Sequence, residues 1–366
     1  MSGSKTIAIM AGGTGGHIFP GVAVAKTLMK KGHKVLWLGS KGGMEERIVR
    51  QEGLPLTLIS MKALRGKGIK GLLVLPFKLT KGIWQARRFF KKNNVDLAVS
   101  LGGFVAAPGG FATRLCSTKL AVHEQNSVFG MTNKHLSKHA DLVLTGFELN
   151  NLYNSTWVGN PVRGQIEALA GKVKTEHKPL RVLVLGGSLG AQSLNQMIPK
   201  VLRDELMSGS VEVKHQCGRD KYEPTKAAYG VSSSELATKP PVESGCGPVE
   251  VKEFINNMAA AYEWADVCIC RAGALTIAEI TMVGIPSIFV PYPSAVDDHQ
   301  THNAMSLVEK NAALLWQEKE GETILKDRVS SLLDSAKQDS MKCALGKLRK
   351  THVAEDIAVR CLELLS

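Results

Sequence analysis

Short apolar runs rich in β-branched residues alternate with longer amphipathic stretches along the whole chain. Runs of this kind are typical of strands buried on both faces of a parallel sheet, and the amphipathic stretches predict helices that cover it. The sequence therefore predicts an α/β protein. The predicted strands are Thr6–Met10, Val35–Leu38, Leu56–Ile59, Leu97–Leu101, Leu120–His123, Leu142–Leu144, Arg181–Leu185, Val211–His215, Val249–Lys252, Val267–Cys270 and Ser287–Val290.

The pattern begins again after residue 180. IAIMAGGTGGH (7–17) opens the first half and VLVLGGSLGA (182–191) opens the second, 174 positions later when Gly12 is aligned with Gly186. We predict two Rossmann-like domains, residues 1–162 and 163–344, joined near Gly159-Asn160-Pro161, where turn-forming residues cluster. The tail Ser340–Ser366 is predicted to be helical, and the apolar pattern alone does not place it; packing of the helix over about 345–366 back on the first domain is the arrangement expected.

Composition narrows the class of protein. With 366 residues, 44% hydrophobic and 22% charged, the chain is typical of a globular protein with two domains. Seven scattered cysteines without a CxxC pair favour a reduced cytosolic protein, and neither a signal peptide nor a membrane span is expected. The net charge of +13 favours an anionic partner but does not choose among nucleic acid, nucleotide and membrane lipid.

Three glycine-rich turns follow predicted strands, at Gly12–Gly16, Leu101–Phe104 and Gly186–Gly190. Such turns expose backbone N–H groups beside a helix N-terminus and can bind phosphate, although each could also be a tight turn that binds nothing. The dinucleotide pattern fails because Ile18 stands where its last glycine should be, and no acidic residue ends the second strand. The P-loop pattern fails as well, so NAD and ordinary ATP hydrolysis are disfavoured.

A further candidate site lies in the second half, where a helix is predicted over Ala274–Met282. Its first residues, Ala274, Leu275 and Thr276, are placed to bind a diphosphate. Glu279, one turn later, could accept hydrogen bonds from a ribose diol or could be a surface residue favoured by the helix dipole. The polar stretch at 291–303 suits a sugar with several hydroxyls, or an ordinary solvated loop.

Six short motifs follow one another along the chain: GGTGGH (12–17), HEQN (123–126), GNPVR (159–163), GGSLGA (186–191), CRAGALTIAE (270–279) and DDHQTHNA (297–304). Together they resemble the motifs of the MurG family of bacterial N-acetylglucosaminyltransferases. The resemblance implies a GT-B fold, with two Rossmann-like domains facing a cleft. It also implies transfer of N-acetylglucosamine from UDP-GlcNAc to the 4-hydroxyl of the muramoyl sugar of undecaprenyl-linked lipid I, with inversion and without metal or cofactor. The product is lipid II, made for peptidoglycan at the cytoplasmic face of the bacterial inner membrane by a peripheral enzyme.

The resemblance also assigns roles to residues of this chain. One departure is that His299 precedes Gln300, where some members have two glutamines, and another is SLGA in place of SQGA. The donor would be bound by Ser188 at the diphosphate, Arg163, Ile255 at uracil, Ala274, Leu275 and Thr276 at the diphosphate, Glu279 at the ribose and Gln300 at the sugar. Thr14, Gly15, Gly16 and Asn126 would line the donor-sugar side near the acceptor.

The attacking hydroxyl needs a base, and His17 is the leading candidate because the ordinary pKa of histidine suits proton removal near neutrality. Its imidazole could instead hold the loop or donate to the acceptor diphosphate. Glu124 is the rival base, since it follows a strand at the same sheet edge, and it could also orient a neighbour.

The basic charge is concentrated in residues 62–92, which contain ten Lys or Arg and no acidic residue. Apolar residues such as Phe77 and Trp84 are interleaved, which predicts binding to an anionic membrane surface. An amphipathic core helix is the alternative, and no motif supports nucleic acid as the partner. Two other functions remain open, a GT-B enzyme with a different acceptor (or a UDP-sugar epimerase) and a non-catalytic membrane-binding protein.

Overall fold

The computed structural model describes residues 3–60, 68–149, 152–172, 177–187, 189–230 and 248–366, with side chains of the helix that begins at Gly68 described from residue 76. The chain forms two compact units. The first comprises Met1–Gly164 and His352–Ser366, and the second comprises Gln165–Thr351.

The first unit is built on a seven-stranded parallel sheet of order β3-β2-β1-β4-β5-β6-β7. Its strands are β1 (Thr6–Ala11), β2 (Lys34–Ser40), β3 (Leu56–Ile59), β4 (Leu97–Gly102), β5 (Lys119–Glu124), β6 (Leu142–Thr145) and β7 (Thr156–Trp157). Its helices are α1 (Gly15–Lys30), α2 (Met44–Gln51), α3 (Gly68–Asn93), α4 (Ala106–Thr113) and α5 (Met131–Leu136), together with the C-terminal helix.

The second unit repeats the arrangement with a six-stranded parallel sheet of order β10-β9-β8-β11-β12-β13. Its strands are β8 (Leu180–Leu185), β9 (Val211–Gln216), β10 (Val249–Lys252), β11 (Val267–Cys270), β12 (Ser287–Phe289) and β13 (Leu314–Leu315). The remaining helices are α6 (Gly164–Glu167), α7 (Gln192–Val201), α8 (Arg203–Ser208), α9 (Tyr222–Ala228), α10 (Met258–Trp264), α11 (Ala274–Val283), α12 (His299–Val308), α13 (Gly321–Leu333), α14 (Ser335–Leu348) and the C-terminal α15 (Val353–Glu363).

The predicted α/β class with parallel sheets is confirmed, and every predicted strand is present within a residue or two of its expected bounds. The two-residue strands β7 and β13 were not predicted, because two residues are too short to show an apolar pattern. Helix α1 begins at Gly15 rather than at Phe19, since the amides of His17 and Ile18 already donate to the Thr14 carbonyl. Pro20 therefore lies inside the helix, where it cannot donate to the Gly16 carbonyl.

Apolar residues cover both faces of each sheet. In the first unit, Ile7 and Ile9 of β1 belong to a core that also includes Val353, Ile357 and Cys361 of α15. The C-terminal helix thus packs on the first unit, whereas α14, which ends at Leu348, belongs to the second. Within the described ranges, no helix combines the length and the apolar character needed to cross a bilayer.

In each sheet the order of the strands reverses at one place. This place lies between β1 and β4 in the first unit and between β8 and β11 in the second. Ligands of open α/β sheets bind beyond the carboxyl ends of the strands at such a point. The loops that follow β1 and β4 meet there, because a Cβ built on Gly103 would lie 2.2 Å from the carbonyl oxygen of Gly12.

Gly103→Ala should destabilise the first unit far more than Gly32→Ala, although both glycines have a φ of +86°. A Cβ at Gly32 meets nothing within 4 Å, so only the left-handed backbone costs energy there, about 1–2 kcal/mol. At Gly103 the collision with Gly12 adds a further ~1–3 kcal/mol. Urea unfolding followed by circular dichroism measures both, and equal losses in the two variants would contradict the close approach.

Candidate active site

The loop after β1 leads directly into α1. Gly13 has a φ of +94°, which favours glycine, and Thr14 is the N-cap residue of the helix. Gly15 and Gly16 form the first turn, whose amides have no acceptor within the helix. The loop therefore places Thr14, Gly15 and Gly16 where backbone N–H groups can receive an anion.

His17 lies in this first turn and not in the glycine loop itself. Its Nδ1 is 3.2 Å from the carbonyl oxygen of Gly12. A carbonyl only accepts, so Nδ1 carries the proton and the lone pair of the neutral ring is on Nε2. The ring also lies against β4, because a Cβ built on Gly102 would be 3.3 Å from Nε2. This tautomer has the basic nitrogen that proton abstraction requires.

Glu124 ends β5 with its side chain only 2% exposed. Its two carboxyl oxygens accept four hydrogen bonds, from the backbone and side-chain amides of Asn126 (3.0 and 3.1 Å), from the Gly130 amide (3.1 Å) and from Asn133 Nδ2 (3.0 Å). The carboxyl group thus organises the loop that follows β5, including the predicted site residue Asn126.

Asn133 of α5 is a residue that sequence reasoning missed. It is 1% exposed, accepts from Ser100 Oγ of β4 at 2.9 Å, and donates to both the Glu124 side chain and the His123 carbonyl. It therefore joins two neighbouring strand ends. The signal in the sequence was an asparagine on the apolar face of a short helix. The patterns of strands and glycine turns do not include such a position.

His123, the first residue of the HEQN motif, is fully buried. Its Nε2 lies 2.9 Å from the carbonyl oxygen of Gly159, and Gln125 Nε2 donates to its Nδ1 at 3.0 Å. Burial lowers the pKa of His123 to about 4, although the hydrogen bond with Gly159 opposes the shift. The ring is thus neutral at physiological pH and joins the HEQN segment to the GNPVR segment.

Arg163 lies in the first unit, although the predicted boundary assigned it to the second domain. Its guanidinium lies over the Phe19 ring of α1, 5.8 Å from the ring centroid. Its predicted contact with the donor stays a prediction.

In the second unit, the turn after β8 lies tightly against the end of β9. A Cβ on Gly190 would be 1.9 Å from the carbonyl oxygen of Cys217, and one on Gly218 would be 2.3 Å from the Gly190 amide. Both positions therefore need glycine. The predicted diphosphate contact in this turn, Ser188, lies outside the described residues.

Beside this turn lies a buried polar cluster that the sequence did not reveal. His215, at the end of β9, has Nε2 3.1 Å from Asn195 Oδ1 and Nδ1 2.8 Å from the Tyr229 hydroxyl. Burial lowers the pKa of His215 to about 3 and raises the pKa of Tyr229 well above its usual range. The neutral ring accepts from the tyrosine and donates to Asn195, whose Nδ2 in turn donates to the Cys217 carbonyl.

Helix α11 begins directly after the Gly273 N-cap, which provides no side-chain hydrogen bond to its first amides. Ala274 is buried, while Leu275 and Thr276 are half-buried. Glu279 is 4% exposed, so it is not a surface residue, and it accepts a 3.0 Å hydrogen bond from the Tyr262 hydroxyl. The uncapped first turn of α11 is thus followed, one turn later, by a carboxyl group that Tyr262 holds in place.

Ile255 and Gln300 belong to the same unit. Ile255 is buried in the loop after β10, and Gln300 in α12 accepts a 2.9 Å hydrogen bond from the Tyr292 amide. Helix α12 is joined to the turn before α11 by Asn303, whose Nδ2 donates to the Ala272 carbonyl at 3.3 Å. The second unit therefore brings the predicted α11 and α12 residues to one edge of its sheet.

The two units match the two domains of one known family. Residues 7–145 match the glycosyltransferase family 28 N-terminal domain, and residues 181–359 match the corresponding C-terminal domain. The chain is 42% identical over 99% of both chains to the UDP-N-acetylglucosamine--N-acetylmuramyl-(pentapeptide) pyrophosphoryl-undecaprenol N-acetylglucosamine transferase of Dechloromonas aromatica. Its structure is similar to the crystal structure of Acinetobacter baumannii MurG, with a TM-score of 0.80 and 34% identity over 98% of this chain and 99% of that chain.

The chain belongs to the MurG family of glycosyltransferases. The expected GT-B fold and the resemblance from which it was inferred are both confirmed, and the chain is a hexosyltransferase of peptidoglycan synthesis. A putative UDP-N-acetylglucosamine 2-epimerase from Listeria monocytogenes is also similar, with a TM-score of 0.70 over 100% of this chain and 98% of that chain. Its identity of 12% shows a shared fold alone.

The ring of His215 should stay neutral as the pH falls from about 8 to about 5, because its folded pKa is about 3. An unfolded histidine binds a proton near pH 6.5, so the second unit should lose about 1.4 kcal/mol of stability per pH unit below that value. Histidine-selective NMR, assigned with His215→Gln, measures the ring protonation. A titration midpoint near pH 6.5 for this ring would contradict the buried cluster.

Proposed function

We propose that this chain transfers N-acetylglucosamine from UDP-GlcNAc to the 4-hydroxyl of the muramoyl sugar of lipid I, giving lipid II. The observation that carries the proposal is the 42% identity over 99% of both chains to a relative whose name states this donor, this type of acceptor and the group transferred. A shared fold alone would leave the epimerase and other GT-B enzymes equally possible.

On the donor side, we place the diphosphate at the first turn of α11, where the amides of Ala274, Leu275 and Thr276 and the helix dipole favour negative charge. Glu279 then receives the ribose hydroxyls, held in place by Tyr262. Ile255 contacts uracil, Gln300 contacts the sugar, and Ser188 and Arg163 add contacts to the donor. Stabilising the leaving UDP is the main electrostatic task of this unit.

On the acceptor side, we place the donor sugar and the acceptor at Thr14, Gly15, Gly16 and Asn126. The 4-hydroxyl attacks the anomeric carbon while the bond to UDP breaks on the opposite face, which inverts the configuration. His17 Nε2 takes the hydroxyl proton. The lone pair on Nε2 supports this role for His17, whereas the four hydrogen bonds accepted by Glu124 support a positioning role for that carboxyl group. We infer no metal, cofactor or nucleic-acid partner.

The proposal predicts that the purified chain releases UDP from UDP-GlcNAc only when a lipid I analogue is present. A coupled assay for UDP, with and without the analogue, measures this dependence. Muramoyl pentapeptide without the lipid diphosphate is the matched control acceptor. UDP release that is independent of any acceptor would favour an epimerase or a hydrolase and would overturn the proposal.

His17→Ala should lower kcat by about 10²–10⁴-fold, because it removes the general base, with little change in KM for UDP-GlcNAc. Glu124→Gln keeps the shape of the side chain but replaces one of the two acceptor oxygens, so the loop after β5 should become less ordered. The variant should therefore lose activity through a higher KM for the acceptor as well as through a lower kcat. Steady-state kinetics with both substrates distinguish the two. A loss of kcat below about tenfold in His17→Ala would exclude His17 as the base.

We further propose that the enzyme is peripheral to the cytoplasmic face of the inner membrane and binds there through α3. Phe77 and Trp84 are 79% and 58% exposed and lie seven residues apart, on one face of the helix. Lys81 and Arg88 fall on the same face, and Arg88 lies 5.7 Å from the Trp84 ring centroid.

By contrast, Phe89 and Phe90 belong to the core, as the alternative interpretation held for part of this segment. The earlier part, residues 61–67 and the side chains up to 75, lies outside the described residues.

Phe77→Ser/Trp84→Ser should weaken binding to liposomes that contain anionic lipid, since it removes two exposed apolar side chains from a basic helix face. Met207→Ser, an exposed apolar residue of the second unit at 68%, is the matched control. Liposome co-sedimentation measures both. Unchanged binding of the double variant would remove this helix face from the proposed membrane surface.

A further inference from the structure

Glu45, in the first turn of α2, is a buried glutamate that belongs to none of the six motifs and has no part in the proposed function. Its side chain is 0% exposed. One carboxyl oxygen, Oε1, accepts from the Ser40 amide at 2.9 Å and from the Ser40 hydroxyl, and the other, Oε2, accepts from the Gly13 amide at 3.2 Å. A buried carboxyl group with these partners joins the end of β2 to the glycine loop after β1.

The loops are shaped to admit this carboxyl group. A Cβ on Gly12 would lie 2.7 Å from Glu45 Oε1, and a Cβ on Gly43 would lie 2.3 Å from Oε2. A side chain at either position would displace the Glu45 carboxyl group from the contacts that it makes here. The glycine at 12 thus makes room for a buried side chain, in addition to any ligand outside the loop.

The Gly13 amide and the Gly12 carbonyl are the two ends of one peptide group. In a trans peptide they point in opposite directions. The N–H end donates to Glu45 Oε2, and the C=O end accepts from His17 Nδ1 at 3.2 Å. One peptide group therefore connects the Glu45 carboxyl to the imidazole of His17, and hydrogen bonds in such a chain polarise one another.

We propose that Glu45 is a positioning residue for the transfer reaction, which holds the Gly12–Gly13 peptide so that His17 keeps its proton on Nδ1 and its lone pair on Nε2. The inference rests on the proposed function of His17 as the base. Glu45 touches neither substrate in this role. It fixes the orientation of one carbonyl, and that carbonyl selects the tautomer of the catalytic ring.

Glu45→Gln tests the proposal because the amide has nearly the same shape but only one acceptor oxygen, while Gly13 and Ser40 both need one. We expect kcat to fall about 10-fold with KM for UDP-GlcNAc unchanged, as for other partners that orient a reacting group. Glu46→Gln is the matched control, since Glu46 is the next residue of α2 and accepts from the Gly42 amide instead. It should keep the kcat of the wild type.

A double-mutant cycle separates positioning from general damage to the fold. In the His17→Ala background, Glu45→Gln should lower kcat by less than about twofold, because the group on which it acts is gone. A loss of about tenfold that persists in that background would overturn the proposal. If His17→Ala alone keeps the wild-type kcat, His17 is not the base, and Glu45 then has no role in catalysis through it. The effect of Glu45 on the tautomer of His17 is measured separately by NMR.

Ring ¹⁵N NMR measures which nitrogen of His17 carries the proton, and in the wild-type enzyme this measurement does not depend on the stability of any variant. The neutral ring of His17 should be protonated at Nδ1, and Glu45→Gln should increase the population protonated at Nε2. A wild-type ring protonated mainly at Nε2 would overturn the proposal even if every variant proved unstable.

Discussion

The structure of both units depends on backbone packing directly against backbone at the carboxyl edge of a parallel sheet. In the first unit Gly103 leaves no room for a Cβ beside the Gly12 carbonyl, and in the second Gly190 leaves none beside the Cys217 carbonyl. Close approach of this kind brings the amides of two or three loops to one place, which a layer of side chains would prevent. These glycines are therefore required by the packing of the backbone, whether or not the turns also bind a ligand.

Buried polar groups then hold the loops that the glycines allow to meet. In the first unit, Glu45 joins the end of β2 to the loop after β1, and Asn133 joins β4 to Glu124 of β5. In the second unit, His215 and Asn195 join β9 to α7 beside the glycine turn. Each of these groups is buried, so leaving one without its partner would cost about 1–3 kcal/mol. The loops at these sheet edges are thus held together by buried side chains.

The two buried carboxyl groups of the first unit have the same kind of environment. Glu124 and Glu45 are both buried, and both accept from backbone amides of neighbouring loops. A carboxyl group with its oxygens engaged in this way orients the chain around it. His17 differs from both carboxyl groups, because its Nδ1 donates to the Gly12 carbonyl and the lone pair of the neutral ring is then on Nε2.

The sequence by itself determined the parallel α/β class, the strand positions, the repeated order of elements and, through six motifs in sequence order, the family. These features depend on local apolar pattern and on short motifs, which are visible without any knowledge of contacts. It did not reveal the start of α1 at Gly15, because Pro20 is typical of a first helical turn. It did not separate Phe89 and Phe90, which are in the core, from Phe77 and Trp84, which are exposed, since all four share one amphipathic helix.

Only the tertiary structure decided the partners of the polar residues. Glu45 lies 32 residues from Gly13 in the chain, and Asn133 lies 33 from Ser100, so no local pattern connects them. Glu279 and a solvent-exposed glutamate have the same sequence signal, and burial against Tyr262 distinguishes them. The carbonyl that accepts from His17 Nδ1 belongs to a peptide group whose amide donates to Glu45 of α2, a contact that no local pattern shows. Residue types show which chemistry is available, and packing between distant segments determines which atoms can perform it.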